Sequence, residues 1–456
     1  MVTRKRGSVV AKRTTRKSIK GVGFYKTAPE QITIDGYKFL LLPIKGETFQ
    51  VDCKVYGGSY LENKHNSGIS HLLEHIITDA WKKCYKRGCT FYLEKYGTVS
   101  NAYTTSTSTG YWIKGLSRFK NTMIDYILSI ALNPHITADV MSREIEAVRN
   151  EITNYMNLPD YELKRVASMH MFKNTGLQYS NDYKIQLANL KTLTKEHLLE
   201  FAKEIISRKR VLFIISGNYN KKDIVSKIRK LLATFPKTKC VTKMPPTRFK
   251  LCYNVKTRVV HVKNNSNKNS TIFIEFPIPI YHGDKSLLYI PIITEILGSG
   301  LNSLLLKQLR IKDKLVYGVA VSHSTNFCGT LLNINISTIH KNLKKVLHTT
   351  FDILKKYKSV LIDKETLVHY KLKYLLKLQS VCLNTTSSVT TFYSPQYLYQ
   401  IENKSPVIYT LSDVSARIDS LTREKVRDMI VKLFKRNICS VFYMSNSKIG
   451  FDIPKF

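Results

Sequence analysis

His71-Leu72-Leu73-Glu74-His75 places two imidazoles and a carboxylate at positions i, i+3 and i+4, which share one face of a helix. Two histidines so placed can hold one divalent metal while the carboxylate between them reaches the metal's water. Leu72, Leu73, Ile76 and Ile77 fill the other faces. The helix is therefore a buried one, and polar groups inside it need a strong partner. A divalent cation is such a partner, and a catalytic zinc takes a third protein ligand. The run from Ser142 to Ile152 offers Glu144 and Glu151, two turns apart on one helix face, with Glu146 pointing away from both. We assign Glu151 as the third ligand and Glu144 as the neighbouring carboxylate that orients a histidine.

The elements that must position these groups alternate along the chain. Strand patterns from Thr48 to Tyr56, from Val99 to Thr105 and from Gly110 to Leu116 surround the metal helix, and long helical patterns follow. Short returns between strands predict an α+β fold with mostly antiparallel sheet and helices on one face. A duplication is also visible. Leu193-Thr194-Lys195-Glu196, an apolar-periodic helix and Val211 to Ile215 recur as Leu421-Thr422-Arg423-Glu424, a helix and Cys439 to Tyr443. In each copy the threonine predicts an N-cap and the acid sits in the first turn. The polar, proline-marked stretch around Phe235 to Thr247 reads as the linker between two similar halves.

His-x-x-Glu-His is the mirror order of the common zinc-protease motif and a metallopeptidase signature. Gly58-Ser59-Tyr60-Leu61-Glu62 and Gly68-Ile69-Ser70 before it, Asn101-Ala102-Tyr103-Thr104 after it, and the glutamate pair stand in a matching order. On these residues the chain resembles the pitrilysin/insulinase (inverzincin) family, with spacing most similar to the mitochondrial processing peptidase β-subunit branch. The resemblance runs from about Ile32 to about Met444. It implies two homologous domains enclosing a substrate chamber, each a mostly antiparallel sheet packed with helices. The divisions are then a basic arm over 1–29, a zinc-binding catalytic domain over 30–235, a linker over 236–256 and a second domain over 257–456. Asn101, Ala102 and Tyr103 resemble the family's substrate-binding edge strand, which would hold an extended peptide by strand addition. Arg310 and Tyr317 resemble its substrate-contacting arginine and tyrosine, and Lys314 between them replaces the glycine usual there.

The activity implied is a zinc-dependent endopeptidase acting on peptides or unfolded precursor segments. One Zn²⁺ on His71, His75 and Glu151 lowers the pKa of water toward about 7. Glu74 takes the proton as general base and passes it to the leaving amine. Because larger family members carry four such domains and this chain two, a homodimer or a heterodimer with a related subunit would complete the site. The alternative from a different class is a non-catalytic structural or nucleic-acid-associated member of the same fold.

Composition bounds these readings. The 456 residues are 43% hydrophobic, enough for ample core. No run of eighteen apolar residues and no apolar secretory segment is present, so neither a membrane span nor secretion is indicated and the protein reads as intracellular. Eight scattered cysteines without a Cys-x-x-Cys pair suit reduced thiols better than a disulfide frame. The formal net charge is +39, and the first 29 residues carry nine Lys or Arg and no acid. That arm reads as a mitochondrial transit segment, a nuclear-type signal or a polyanion-binding arm. The Lys, Asn, Ile and Tyr bias fits an AT-rich genome, a parasite's or a large virus's, leaving mitochondrion, host cell and virion open as locations.

Overall fold

The computed structural model describes residues 29–84, 86–236, 253–264, 269–281, 284–326, 328–382, 386–400 and 408–456. The basic arm, except Pro29, and most of the linker lie outside the described residues.

The first half carries strands β1 (Glu30–Ile34), β2 (Tyr37–Pro43), β3 (Thr48–Tyr56), β4 (Val99–Thr104), β5 (Ser108–Leu116) and β6 (Val211–Gly217). Its helices are α1 (Ile69–Thr78), α2 (Cys89–Glu94), α3 (Lys120–Leu132), α4 (Ala138–Met156), α5 (Tyr161–Met171), α6 (Tyr183–Leu190), α7 (Lys195–Ile205) and α8 (Lys221–Leu232). The second half carries β7 (Arg258–Lys263), β8 (Asn269–Ile278), β9 (Val316–Asn326), β10 (Gly329–Ile339) and β11 (Ser440–Ser445). Its helices are α9 (Ile290–Gly298), the single turn α10 (Leu304–Leu306), α11 (Leu343–Ser359), α12 (Lys364–Cys382), α13 (Thr386–Gln400), α14 (Leu411–Asp419) and α15 (Arg423–Leu433).

Two sheets repeat one topology. The first runs β1-β2-β6-β3-β5-β4 and the second β7-β11-β8-β10-β9. Each has one parallel pair, β2 with β6 and β7 with β11, and is otherwise antiparallel. The two threonines of the duplicated segment cap matching helices: Thr194 Oγ1 accepts from the His197 amide at 3.3 Å and Thr422 Oγ1 from the Lys425 amide at 3.1 Å.

Both faces of each sheet are covered, where the sequence predicts one. Strand β6 is buried along its whole length, which suits an unbroken apolar run rather than an alternating one. Val211, Phe213 and Ile215 face α1, α3 and α7, whereas Leu212 and Ile214 on the other side meet Tyr393 and Tyr397 of α13. The exchange is reciprocal. On β11, Val441 and Tyr443 join the second half's own core, and Phe442 and Met444 meet Leu163, Ala167 and Met171 of α5. Each half thus lends one helix to the back of the other's sheet.

Candidate metal centre and cleft

Helix α1 lies between β4 and α4. Leu72, Leu73, Ile76 and Ile77 are fully buried against the first sheet, and this turns the His71, Glu74 and His75 face toward α4. The helix begins at Gly68, whose φ of 96° suits a residue without Cβ. Its free amides are met by a buried carboxylate: the Gly68 and Ser70 amides each donate to Glu62 at 2.9 Å. A negative group at a helix N-terminus is favoured by the dipole. At the other end the Tyr126 hydroxyl donates to the Thr78 carbonyl at 2.9 Å.

Helix α4 is capped by Thr137, which accepts from the Val140 amide at 3.2 Å. It delivers Glu144 and Glu151 to the histidines, while Glu146 turns away to pair with Arg149. Glu151 spans both rings, its two oxygens lying 3.5 Å from His71 Nε2 and 3.7 Å from His75 Nε2. Ligands held at about 2.1 Å around a tetrahedral metal are separated by about 3.4 Å, so these spacings fit one ion between them. The Glu144 carboxylate lies 3.3 Å from His75 Nδ1. A proton on Nδ1 leaves the Nε2 lone pair for a metal. The rings of His71 and His75 stand edge to face, 4.9 Å apart. Ligand atoms of His71, Glu74 and His75 also fall within 4.8 Å of one another.

The electrostatics call for a cation. Three carboxylates surround two imidazoles, and Arg143 comes only to 4.0 Å of Glu144. Burial and the charge of His75 hold His71 down to about 4, so it stands neutral with a free lone pair at neutral pH. Burial pulls His75 down too, but the Glu144 contact and the charges of Glu74 and Glu151 outweigh it and raise the net value. Burial raises Glu74 above the usual carboxylate range, against the opposing pull of His75 and of the Thr104 hydroxyl, which donates at 3.2 Å.

The groups open into a cleft of ≈ 430 Å³. Among the described residues its wall comes from the first half alone: α1, α4, Thr90 of α2, Tyr126 and β4 from Ser100 to Thr104. Strand β4 is the sheet's edge, paired on one side with β5. Asn101 is exposed and its Oδ1 accepts from the Ala102 amide at 2.8 Å. Tyr103 lies across Gly110 of β5, where any Cβ would collide with its ring, and its hydroxyl accepts from Lys54 Nζ at 2.6 Å. Its ring is thus committed to the sheet. Arg310 and Tyr317 lie elsewhere, Arg310 exposed in the π-helical turn Lys307–Lys312 and Tyr317 59% exposed near the start of β9. Neither lines the cleft. Lys314 between them takes φ 52°, the left-handed conformation that favours glycine.

Several supporting residues escape sequence reasoning. Glu62, Thr104 and Arg143 act through contacts that no spacing rule reveals, although Glu62 and Thr104 stand inside motifs quoted above. The cysteine reading needs correction: Cys84 and Cys89 are joined in a disulfide. The turn between them, with Gly88 at φ 77°, brings their Cα atoms to 4.9 Å. Cys53, Cys328 and Cys439 are buried free thiols.

Comparisons with known proteins bear on the family and the fold. The family described as Insulinase (Peptidase family M16) matches residues 44–181, and the Peptidase M16 inactive domain matches residues 192–373. An uncharacterized zinc protease of Rickettsia bellii is 23% identical over 63% of this chain and 67% of its own length. The mitochondrial-processing peptidase subunit beta of Caenorhabditis elegans is 24% identical over 48% of this chain and 47% of its own. Relatives are thus both bacterial and mitochondrial, and no helix among the described residues is long and apolar enough to cross a membrane. A protease from Helicobacter pylori superposes with a TM-score of 0.80 at 18% identity, covering 91% of this chain and 99% of that one. With both halves matched and the fold shared almost end to end, the chain belongs to the insulinase (M16) peptidase family.

Proposed function

We propose that the protein is a zinc-dependent endopeptidase that hydrolyses peptide bonds in peptides or unfolded segments. The observation that supports it best is the convergence of His71 Nε2, His75 Nε2 and the Glu151 carboxylate at tetrahedral spacing beside Glu74. Zinc bound there supplies an electrophile for the scissile carbonyl and acidifies water. Glu74 is the general base. The Thr104 hydroxyl occupies Oε2 of Glu74, leaving Oε1 to take a proton from water and return it to the leaving amine. Glu144 keeps His75 oriented. The free edge of β4 at Asn101, Ala102 and Tyr103 pairs with the backbone of an extended substrate. Arg310 and Tyr317 contact substrate from a second subunit, either another copy or a related chain, and two similar proteins are themselves named as a peptidase subunit and a complex core protein. The basic arm adds attraction to polyanions.

The test is zinc content together with cleavage of an unstructured fluorogenic peptide. One zinc per chain and cleavage abolished by chelation are expected. Glu74→Gln should keep the metal and lose roughly 10²–10⁴-fold in turnover, because an amide cannot accept the proton. Zinc retained without cleavage in the native protein, alone or mixed with a related subunit, would favour a non-catalytic role.

A further inference from the structure

One residue joins α1, α4 and the disulfide loop. Asp79, the C-cap of α1, accepts from the Cys89 amide at 2.8 Å through Oδ1 and from Arg143 Nη2 at 3.0 Å through Oδ2. Arg143 is on α4, one residue before Glu144 and eight before Glu151, and its other nitrogen holds Asp139 at 2.9 Å. Asp79 therefore adds a tie, beyond the His–Glu contacts themselves, between the helix that carries the histidines and the helix that carries the glutamates. Its Oδ1 is held by an amide of the loop that the disulfide closes. Thr90, next to Cys89, lines the cleft.

We propose that the Cys84–Cys89 disulfide, acting through Asp79 and Arg143, holds the gap between α1 and α4 and makes metal retention at His71, His75 and Glu151 sensitive to thiol reductants. The inference rests on the metal reading of those three residues. Both sulfurs are buried, so attack follows opening of the short turn at Gly88. Lys82, Lys83, Lys86 and Arg87 are exposed around that turn and favour approach of a thiolate. A dithiol reductant forms a mixed disulfide with one sulfur, releases the other as thiolate, and then departs as its own disulfide. Two electrons and two protons pass to the protein, leaving Cys84 and Cys89 as thiols. The Cys89 amide is then no longer held against Asp79. Asp79 and Arg143 are positioning residues, since neither reaches the metal ligands except through backbone and Glu144.

The experiment follows zinc release from the full-length protein to a chromogenic chelator. Oxidised protein is compared with protein reduced by a phosphine, which is removed beforehand, with the Cys84→Ser/Cys89→Ser double variant and with Asp79→Asn. Reduction and each variant should speed release about 10-fold or more, the scale of losses when groups supporting metal ligands are removed. Reoxidation should restore slow release, and reducing Asp79→Asn should add little, because both changes break one tie. If the double variant fails to fold, the reversible change in the native protein decides. Equal release from oxidised and reduced protein of equal helicity overturns the disulfide's role and leaves the metal reading standing. Absence of zinc in the oxidised protein overturns both.

Discussion

At the scale of single residues, the carboxylates beside the two histidines differ in what they touch. Glu151 faces both Nε2 atoms, Glu144 faces only His75 Nδ1, and Glu74 is held by Thr104. Glu144→Ala should therefore keep the fold but weaken zinc binding about 10- to 100-fold, measured by chelator competition. An unchanged affinity would remove Glu144 from the site. A different buried carboxylate adds its own pH dependence. Glu275 on β8 accepts from Asn333 at 3.1 Å, and burial pushes it up to about 7. Between its ordinary value of 4.5 and about 7 the folded protein holds this proton and the unfolded chain has lost it. This group's own contribution to stability falls as pH rises through that window, by roughly 3 kcal/mol at most. Denaturant unfolding of Glu275→Gln should lack that slope; a slope equal to the native protein's would refute the assignment.

At the scale of elements, helix α1 is organised from its ends. Glu62 satisfies two amides at its start, and Asp79 ties its end to α4. Glu62→Gln replaces one acceptor oxygen with a donor facing an amide, and a loss of about 1–3 kcal/mol in unfolding free energy is expected. No loss would show that the cap contributes nothing. The second half shows what the same element becomes without the chemistry. Helix α9 stands between β8 and β9 as α1 stands between β3 and β4. Along it Ile292, Glu295 and Ile296 repeat the spacing of His71, Glu74 and His75 with both histidines replaced. Its glutamate is neutralised by Lys373 and Lys377 of α12 at 3.7 and 3.4 Å. Ammonium groups thus stand beside this glutamate, and among the described residues the second half gathers no cluster of metal-ligating side chains.

At the scale of the whole molecule, the exchanged helices α5 and α13 pack each half against the back of the other's sheet, which predicts that the halves unfold together. Leu163 of α5 packs in the cluster that buries Cys328 of the second half. Leu163→Ala should cost about 2–5 kcal/mol and expose Cys328 to thiol reagents faster, although the change lies in the other half. Labelling at the native rate would mean that the halves are energetically separate.

Much of this was legible in the chain. The polar groups of α1 and α4 recur at helical spacing, which brought His71, Glu74, His75, Glu144 and Glu151 forward as candidates, while the α+β class came from the returning strand patterns and the family resemblance. The repeated Leu-Thr-basic-Glu segment and the apolar runs after it disclose the duplication, because caps and buried strands leave local signatures. The exchange of α5 and α13 is not local: an apolar helix face does not say which sheet it will cover. Glu62, Thr104 and the Asp79–Arg143 tie are decided only when segments distant in sequence meet, and the Cys84–Cys89 bond only when the turn at Gly88 closes. Tertiary structure likewise seats Arg310 and Tyr317 outside the cleft, since their place depends on how β9 joins its own sheet.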